Sequence, residues 1–433
     1  MSIKSGWGTK LGGFVKSWKR RWFVLFENRL EYYTGPGQRK KGEVSLNDVS
    51  EVSPYPECVH QHAFKLVIPN IRTYQIYVDN NREMEEWVKV IRRVLRMLSR
   101  PKVNVDDFVI LKVIGKGTYG KVQLVKCTID GKFYAMKSLS KKHISDSKVI
   151  QRILQEKEVL IEATHPFLVS AHYAFQTEAK IFLIMDYIQG GDLFNRIREE
   201  RKFSFKRVQL YAAQLTLAIG HLHSLSIMHR DLKPENILFD KYGYMMLTDF
   251  GLVKRFANEN DTATTFCGTP EYVAPEMVQG CEYTKSVDWW ALGTMIYELL
   301  YGFPPFYDTN TNAMYRSIVC EPIELSMDEN PVTIDFLCKI LDKNPYTRLG
   351  SGSRDYLELK EHPFFEGVDW NKLLARAIPM EWVPHLEGEV DVSQFDSIFT
   401  HEIPKLTLED PSLIGSDVQK QLEGFTFEGN SVI

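Results

Sequence analysis

The 433-residue sequence is poor in cysteine and has no long apolar run. Its six cysteines form no C-x-x-C pair, so neither a disulfide framework nor zinc-ligand spacing is present and reduced, structural thiols are expected. No stretch approaches the roughly 18 apolar residues that a membrane helix needs, and residues 1–10 have no apolar core of signal-peptide length. We therefore expect a soluble, intracellular protein.

An excess of charge of one sign is also missing, because 53 basic residues face 56 acidic ones and the formal net charge is −3. This balance gives no sign of nucleic-acid binding, and we expect none. The two ends differ, however. Residues 1–42 carry ten basic and two acidic side chains, whereas residues 381–433 carry eleven acidic and two basic ones. The basic end should favour anionic surfaces and the acidic end should not.

Hydrophobic periodicity divides the chain into four segments. Short β-type runs extend to about residue 79, and apolar residues then recur at helical spacing to residue 98. This pattern predicts a β-sandwich or barrel closed by a C-terminal helix over residues 1–98, followed by a short linker at 99–106. Residues 107–365 change from β-rich to helix-rich sequence, which predicts a bilobal α+β domain. Residues 366–433 have the composition of an acidic tail that docks through scattered aromatic anchors.

A glycine-rich turn, Gly115 to Val122, follows one predicted strand and precedes another, whereas a Rossmann glycine turn opens a helix. Glycines at such a turn let backbone N–H groups approach phosphates closely, although glycine clusters are more often plain turns. Lys137 ends the next predicted strand, where its ammonium can neutralise phosphates. Glu156, in a helical stretch, is its candidate counter-ion, while either residue alone could be a solvated surface charge.

The segment from His229 to Asn236 carries the pattern that phosphoryl transfer requires. Asp231 can orient a substrate hydroxyl, and Asn236, five residues later, can hold a magnesium ion. Thirteen residues further on, an Asp-Phe-Gly sequence at residues 249–251 supplies a second oxygen ligand for the metal. An Ala-Pro-Glu sequence follows at residues 274–276.

Five such motifs in one order resemble the protein kinase superfamily, and the resemblance covers Phe108 to about Phe365. It implies an ATP- and Mg²⁺-dependent serine/threonine kinase. The catalytic residues implied are Lys137, Asp231, Lys233 and Asn236. The implied ATP-binding residues are Gly115, Gly117, Gly120, Val122, Ala135, Lys137, Glu156, Met185 and Asp249, and the metal ligands are Asn236 and Asp249. A catalytically inactive fold used as a scaffold is the alternative, but every one of the key side chains is present.

The sequence Gly-Thr-Pro-Glu-Tyr at residues 268–272 and Phe-Asp-x-x-Phe at 395–399 resemble the AGC group of kinases. A pleckstrin-homology (PH) module at the N-terminus narrows the resemblance to the protein kinase B (Akt) family. By that resemblance Thr265 is phosphorylated by an upstream kinase and its phosphate faces Arg230, with Thr262 and Thr264 as rivals.

Two tail phosphosites are implied by the same resemblance. Thr407 aligns with the turn motif, although Leu408 stands where a proline is usual. Thr426 is the site of the hydrophobic motif, in which Leu422 replaces an aromatic residue.

Substrate and membrane partners also follow from the resemblance. Asp192 and Glu235 match positions that bind arginine upstream of the target residue, so basic protein substrates are expected. Glu298 is a further candidate contact, although an exposed acidic residue more often serves only solubility. Lys10, Lys19 and Arg21 match the basic strand pair that grips an inositol polyphosphate. We expect a cytoplasmic monomer that phosphoinositides recruit to the inner leaflet of the plasma membrane. An N-terminal domain that binds protein instead of lipid, and a non-catalytic phosphoinositide adaptor, remain alternatives.

Overall fold

A computed structural model describes residues 2–12, 17–99, 103–117, 120–144, 146–257, 261–326, 330–407 and 414–429. The chain forms two compact units, residues 1–102 and 103–433. Leu408 and linker residues 100–102 lie outside the described residues. No helix in the described part of the chain is long and apolar enough to cross a membrane.

The first unit is one antiparallel sheet closed by a helix, which confirms the fold predicted for this segment. Its strands are β1 (Lys4–Leu11), β2 (Trp18–Leu25), β3 (Arg29–Tyr33), β4 (Lys40–Ser45), β5 (Glu51–Pro54), β6 (Ala63–Ile68) and β7 (Arg72–Tyr77), and its helix is α1 (Asn81–Ser99). The strand order is β4-β3-β2-β1-β7-β6-β5. The apolar stripe of α1 buries Trp87 and Ile91 in the same core as Phe23 and Leu66, as the helical spacing predicts.

The second unit begins with the predicted β-rich lobe. Its elements are β8 (Phe108–Gly117), β9 (Gly120–Cys127), β10 (Phe133–Ser140), α2 (Ser147–Glu162), β11 (Ala171–Gln176) and β12 (Lys180–Asp186). These strands form an antiparallel sheet in the order β11-β12-β10-β9-β8. The side chain of Asp146 caps α2 by accepting a hydrogen bond from the backbone N–H of Lys148, at 2.8 Å.

The helical lobe follows and is built around two buried helices. Its elements are α3 (Leu193–Glu200), α4 (Phe205–Ser224), β13 (Ile227–Met228), β14 (Ile237–Phe239), β15 (Met245–Leu247), β16 (Lys254–Arg255), α5 (Pro275–Val278), α6 (Ser286–Tyr301), α7 (Thr311–Cys320), α8 (Pro331–Ile340) and α9 (Tyr356–Lys360). α4 and α6 are apolar on most sides, and Trp289 and Trp290 of α6 are fully buried. The catalytic-loop residues therefore lie on a rigid support.

The tail contains α10 (Trp370–Leu374), α11 (Ser397–Thr400), α12 (Ser416–Gln421) and β17 (Phe427–Glu428). Its aromatic anchors pack on both lobes. Trp382 meets Phe239 at a ring distance of 5.0 Å, Phe395 stacks on Tyr187 at 6.1 Å, and β17 pairs with β11 as a sixth strand of the small-lobe sheet. The tail docks through anchors, as its composition predicts.

Candidate active site and basic cluster

The β8–β9 hairpin carries the glycine-rich turn over a cavity of about 380 Å³. The cavity is lined by Gly117, Gly120, Lys121, Val122, Lys137, Leu139, Val149, Arg152, Ile153, Glu156, Asp231, Asp249, Gly251 and Leu252. A Cβ atom at Gly120 would lie 1.8 Å from the carbonyl oxygen of Ser138. Gly120 is therefore required by the close approach of β9 to β10, whereas Gly117 meets no atom within 4 Å and leaves room for a ligand.

A charged pair joins the sheet to α2 inside this cavity. The Nζ atom of Lys137 on β10 lies 2.5 Å from Oε1 of Glu156, whose side chain is buried. Burial alone would lower the pKa of Lys137, but the charges of Glu156 and Asp249 outweigh it and raise the pKa above its usual value. The lysine is therefore held charged, with a second carboxylate close by.

The remaining residues predicted to contact ATP form an apolar surface beside the cavity. Ala135 on β10 lies directly opposite Met185 on β12, and both are buried. Gly115 lies opposite Val122 in the β8–β9 hairpin. Val122 and the tail residue Phe395 pack against the small cluster that contains Ala135. A flat apolar group such as an adenine ring suits this surface.

The catalytic-loop carboxylate is held by three donors, Lys233, Thr269 and Asn236, the last of which donates from Nδ2 to Oδ2 of Asp231 at 3.3 Å. Oδ2 of Asp231 accepts a hydrogen bond from Nζ of Lys233 at 2.7 Å, and Oδ1 accepts one from Oγ1 of Thr269 at 2.9 Å. Lys233 also donates to Thr269 at 3.0 Å, which closes a triangle. Nδ2 of Asn236 donates to the backbone oxygen of Asp231 at 2.8 Å. Thr269 was not predicted as a site residue, although it lies in the Gly-Thr-Pro-Glu-Tyr sequence.

The loop itself is fixed from below by the buried Asp288 of α6. Its carboxylate accepts hydrogen bonds from the backbone N–H groups of His229, at 2.8 Å, and Arg230, at 2.9 Å. Arg348 makes a bidentate pair with Glu276, at 2.7 and 2.8 Å. These contacts orient the loop and need no ligand.

Oxygen donors are gathered where a divalent cation is expected. Asp249 has a φ of +60°, and its side chain lines the cavity with that of Asp231, while Asn236 bonds to the Asp231 backbone. Carboxylate and amide oxygens are the ligands that Mg²⁺ prefers, together with substrate phosphates. In the described part of the chain no cluster of three His, Cys, Asp or Glu residues could hold a metal.

The three predicted substrate contacts differ in their environments. Asp192 caps α3 by accepting from the backbone N–H of Asn195 at 2.7 Å, and burial raises its pKa. Glu235 is exposed on the catalytic loop. For Glu298 the alternative interpretation was an exposed surface acid. That alternative is wrong, because the residue is only 7% exposed and its carboxylate accepts a hydrogen bond from the Tyr272 hydroxyl.

Glu298 belongs to a group of acidic residues. Burial and the charges of Glu235 and Glu271 raise the pKa of Glu298 to about 7, against the hydrogen bond from Tyr272. Glu271 was missed by the sequence reasoning, although it too lies in the Gly-Thr-Pro-Glu-Tyr sequence. Three carboxylates with one raised pKa indicate a site that gains from a cation.

The predicted phosphosites Thr265, Thr407 and Thr426 are all exposed. Tyr283 connects Thr265 to the catalytic loop, because its hydroxyl donates to the Thr265 backbone oxygen at 2.6 Å and accepts from Nη1 of Arg230 at 3.3 Å. Lys254 lies on the same segment and donates to the backbone oxygen of Thr262 at 2.9 Å. Two cations therefore flank the loop that carries Thr265.

The hydrophobic motif docks on the small lobe. Leu422 and Phe425 are fully buried, so a leucine fills the place where an aromatic residue was expected. Nζ of Lys157 lies 5.2 Å from the Phe425 ring centre and donates to its backbone oxygen at 3.3 Å. The buried Lys141 donates to the side chain of Gln419 in α12 at 2.6 Å. The docked segment is thus held by burial and by hydrogen bonds.

The three residues predicted to bind lipid, Lys10, Lys19 and Arg21, lie on one face of the first unit's sheet. Lys10 is directly opposite Lys19, and Gly8 is opposite Arg21, which places the three cations on the same side. Nζ of Lys10 lies 4.4 Å from the Tyr32 ring centre. Burial, with the charges of Arg72, Arg21 and Lys19, lowers the pKa of Lys10 to about 8.

Arg72 is a fourth cation that the sequence reasoning missed. It begins β7, and its Nη2 atom donates to the backbone oxygen of Leu11 at 3.1 Å, beside the end of β1. Only the pairing of β7 with β1 brings it here. Within the described residues, no carboxylate pairs with Lys10, Lys19, Arg21 or Arg72, so this basic cluster is open to an anion.

Comparison with known proteins agrees with this arrangement. The family described as "Protein kinase domain" matches residues 108–365, "PH domain" matches residues 2–96, and "Protein kinase C terminal domain" matches residues 386–427. A protein kinase domain uses ATP and a divalent metal ion.

Relatives among characterised proteins carry the same architecture or its kinase part. The "RAC family serine/threonine-protein kinase homolog" of Dictyostelium discoideum is 38% identical over 98% of this chain and 97% of its own length. "Serine/threonine-protein kinase Sgk3" of Rattus norvegicus is 44% identical over 75% of this chain and 66% of its own length. "Serine/threonine-protein kinase Sgk2" of Homo sapiens is 45% identical over 70% of this chain and 83% of its own length. The chain belongs to the protein kinase family, as an AGC-type serine/threonine kinase with an N-terminal PH domain.

Proposed function

We propose that this kinase transfers the γ-phosphate of Mg-ATP to serine or threonine residues of arginine-containing proteins. We further propose that phosphoinositides recruit it to membranes and that phosphorylation of Thr265 and Thr426 activates it. The observation that carries the catalytic part is the lining of one cavity by Lys137, Glu156, Asp231 and Asp249.

Each of these residues has a role that its contacts support. Lys137, held charged by Glu156, binds nucleotide phosphates. Asp231 accepts a hydrogen bond from the substrate hydroxyl and orients it, while Lys233 donates to Asp231 and stabilises charge beside it. Mg²⁺, held by Asn236 and Asp249, would neutralise charge on the phosphates. Positioning and electrostatic stabilisation together suffice for phosphoryl transfer.

Recognition of arginine rests on the acidic residues of the large lobe. The charges of Glu235 and Glu271 both act on the buried Glu298, and a guanidinium placed beside Glu298 would relieve this repulsion. Basic substrates are favoured over acidic ones for the same reason. The carboxylate of Asp192 already accepts two hydrogen bonds from Asn195, so fewer of its acceptor positions are left for an arginine.

Activation rests on cations that lie beside the exposed threonines. A phosphate on Thr265 would carry about −1.5 to −2 charges. Lys254 contacts the nearby Thr262 backbone directly, and Arg230 is linked to Thr265 through Tyr283. A phosphate on Thr426 would lie one residue from the backbone that Lys157 contacts. Thr407 is exposed close to Leu406, which packs against the small-lobe core, so a phosphate there is compatible with the fold.

Recruitment rests on the basic cluster of Lys10, Lys19, Arg21 and Arg72. Like charges lie close together on one sheet face, and burial together with the charges of Arg72, Arg21 and Lys19 lowers the pKa of Lys10. A polyphosphate supplies the missing negative charge. We therefore place the active kinase in the cytoplasm and at the inner leaflet of the plasma membrane, acting as a monomer.

The test is phosphate transfer by the full chain from Mg-ATP to a peptide with upstream arginines, with and without vesicles that contain 3-phosphoinositides. We expect arginine-dependent transfer, and vesicle binding that depends on the phosphoinositide. Equal rates on a matched peptide without arginine would refute the substrate proposal. Equal binding to neutral vesicles would favour a protein-binding role for the N-terminal domain.

A further inference from the structure

A single tail carboxylate contacts both arms of the glycine-rich hairpin. Oε2 of Glu402, which follows α11, lies 2.5 Å from Nζ of Lys121 on β9. Oε1 of the same residue lies 3.8 Å from Nζ of Lys116 on β8. The hydrogen bond from Lys121 lowers the pKa of Glu402, so the carboxylate is ionised at neutral pH.

The two lysines repel each other without this carboxylate. Lys116 and Lys121 are directly opposite in the β8–β9 register, one pair before the turn at Gly117 and Gly120. Like charges directly across an antiparallel pair are destabilising. Glu402 bonds to one lysine and approaches the other, which converts a repulsive pair into an attractive group of three charges.

The position of Glu402 is fixed on both sides along the chain. Seven residues earlier, Phe395 packs against the apolar cluster that contains Ala135. Four residues later, Leu406 packs against the cluster that contains Phe108. The backbone oxygen of Lys405 accepts a hydrogen bond from the side chain of Gln123 at 3.4 Å. Because the neighbouring chain is anchored, the ion pair needs little further ordering of the backbone.

We propose that Glu402 is a positioning residue for ATP, which holds the glycine-rich hairpin closed from the tail. Gly117, Gly120 and Lys121 line the cavity, so the separation of the two arms sets how closely the turn can approach a nucleotide. The carboxylate is encoded in the sequence, and this clamp therefore needs no phosphorylation. Glu402 acts on nucleotide binding through Lys116 and Lys121 and touches no reacting atom.

The test begins with the variant Glu402→Gln and its effect on the steady-state kinetics of the full chain. We expect the KM for ATP to rise about threefold to tenfold, as for a partly exposed ion pair with good geometry. The kcat and the KM for the peptide should stay within about twofold of the wild-type values, because Glu402 contacts the glycine-rich hairpin and not the catalytic loop. Salt should reduce the difference between variant and wild type.

A charge exchange separates this role from a merely structural one. Lys121→Glu and Glu402→Lys should each raise the KM for ATP, and the double variant should return it to within about twofold of the wild type. Glu389→Gln, which removes another exposed tail carboxylate, is the matched control and should leave this KM unchanged. Thermal unfolding of each variant identifies any that misfold, and the double variant, which keeps the net charge, then still tests the contact.

Several results would overturn the proposal. One is a KM for ATP that is unchanged or lower in Glu402→Gln, since freed lysines would then simply attract phosphate. Another is an equal change in Glu389→Gln. A double variant that is no better than the two single ones would also exclude a direct contact between residues 121 and 402.

Discussion

Two lysines in this protein, Lys137 in the cavity and Lys10 on the N-terminal sheet, have pKa values shifted in opposite directions. Both are largely withdrawn from water, which alone lowers a lysine pKa. Glu156 and Asp249 reverse that effect at Lys137, whereas the cations around Lys10 add to it and bring its pKa to about 8. One site supplies its own counter-charge and the other does not.

This difference distinguishes a site whose charges are already paired from a site that lacks a counter-charge until an anion binds. Lys137 and the catalytic-loop residue Lys233 each meet a carboxylate of the cavity lining within 2.7 Å, so the charges are oriented before a nucleotide arrives. In the basic cluster the nearest partners of Lys10 are aromatic rings and other cations. Occupation by an anion should therefore change the second site more than the first.

The largest effect should come from breaking the first site. Lys137→Met removes the charge that holds the phosphates, and we expect phosphate transfer to fall by at least about 100-fold. Asp249→Asn should do the same because it removes a metal ligand. Initial rates with saturating peptide measure this. Lys132→Met, on the exposed β9–β10 turn, is the control, and near wild-type activity in Lys137→Met would refute the assignment of the ATP site.

The second site should fail when its cations are neutralised together. Lys10→Gln, Lys19→Gln and Arg21→Gln in one chain should weaken binding to 3-phosphoinositide vesicles by about 100-fold, since each cation contributes about 1 kcal/mol. Co-sedimentation at several salt concentrations measures this.

The control for this triple variant removes three exposed cations of α1, which are Arg82, Lys89 and Arg93. It lowers the net charge equally and should retain vesicle binding. If both triple variants lose binding alike, attraction is general and the site lies elsewhere.

The sequence predicted the active site in more detail than the basic cluster. In the kinase part the motifs are short and local, so the family resemblance that they carry led to the fold and to the residues Lys137, Asp231 and Asp249. Thr269 was missed because it lies 38 residues from Asp231 in the sequence, and only the fold brings the two side chains into contact. The burial of Glu298 could not be predicted, because burial inside α6 depends on packing on all sides and leaves no periodic signal.

In the N-terminal part, the sheet and its closing helix followed from alternation and helical spacing. Arg72 was missed because strand pairing between β1 and β7, which are far apart in sequence, places it beside Leu11. The tail anchors at Phe395 and Phe425 were recognised as aromatic residues, but their burial partners could not be assigned. In both units, therefore, the contacts between segments that are far apart in the sequence could not be predicted.

A pH titration should sharpen the contrast between the two lysines. Lys10 has a pKa lowered to about 8, so it loses its charge as pH rises from 7.5 to 9.5, a range in which phosphate groups are already ionised. Vesicle binding should weaken by up to about tenfold over this range. The variant Lys10→Arg, which stays charged, should show a flatter profile, whereas a pH-independent wild type would contradict the lowered pKa.

The smallest expected effect concerns the third charged site, the acidic residues that we propose to recognise arginine. Burial raises the pKa of Glu298 to about 7, so in the free enzyme it is mostly protonated at pH 6 and mostly ionised at pH 8. A guanidinium favours the ionised form, and the KM for an arginine-containing peptide should therefore fall about threefold as pH rises from 6 to 8.

The variant Glu298→Gln isolates this titration from every other group that changes over the same range. It keeps a hydrogen-bond acceptor for Tyr272 but carries no charge at any pH. Its KM should be higher than that of the wild type at pH 8 and should vary less between pH 6 and pH 8. The KM for ATP, which depends on Lys137 and the glycine-rich hairpin, serves as the internal reference in the same assays. Because Glu298 is buried with a single hydroxyl partner, a peptide KM with the same pH profile in both proteins would remove it from the substrate site and leave Glu235 and Glu271 as the candidates.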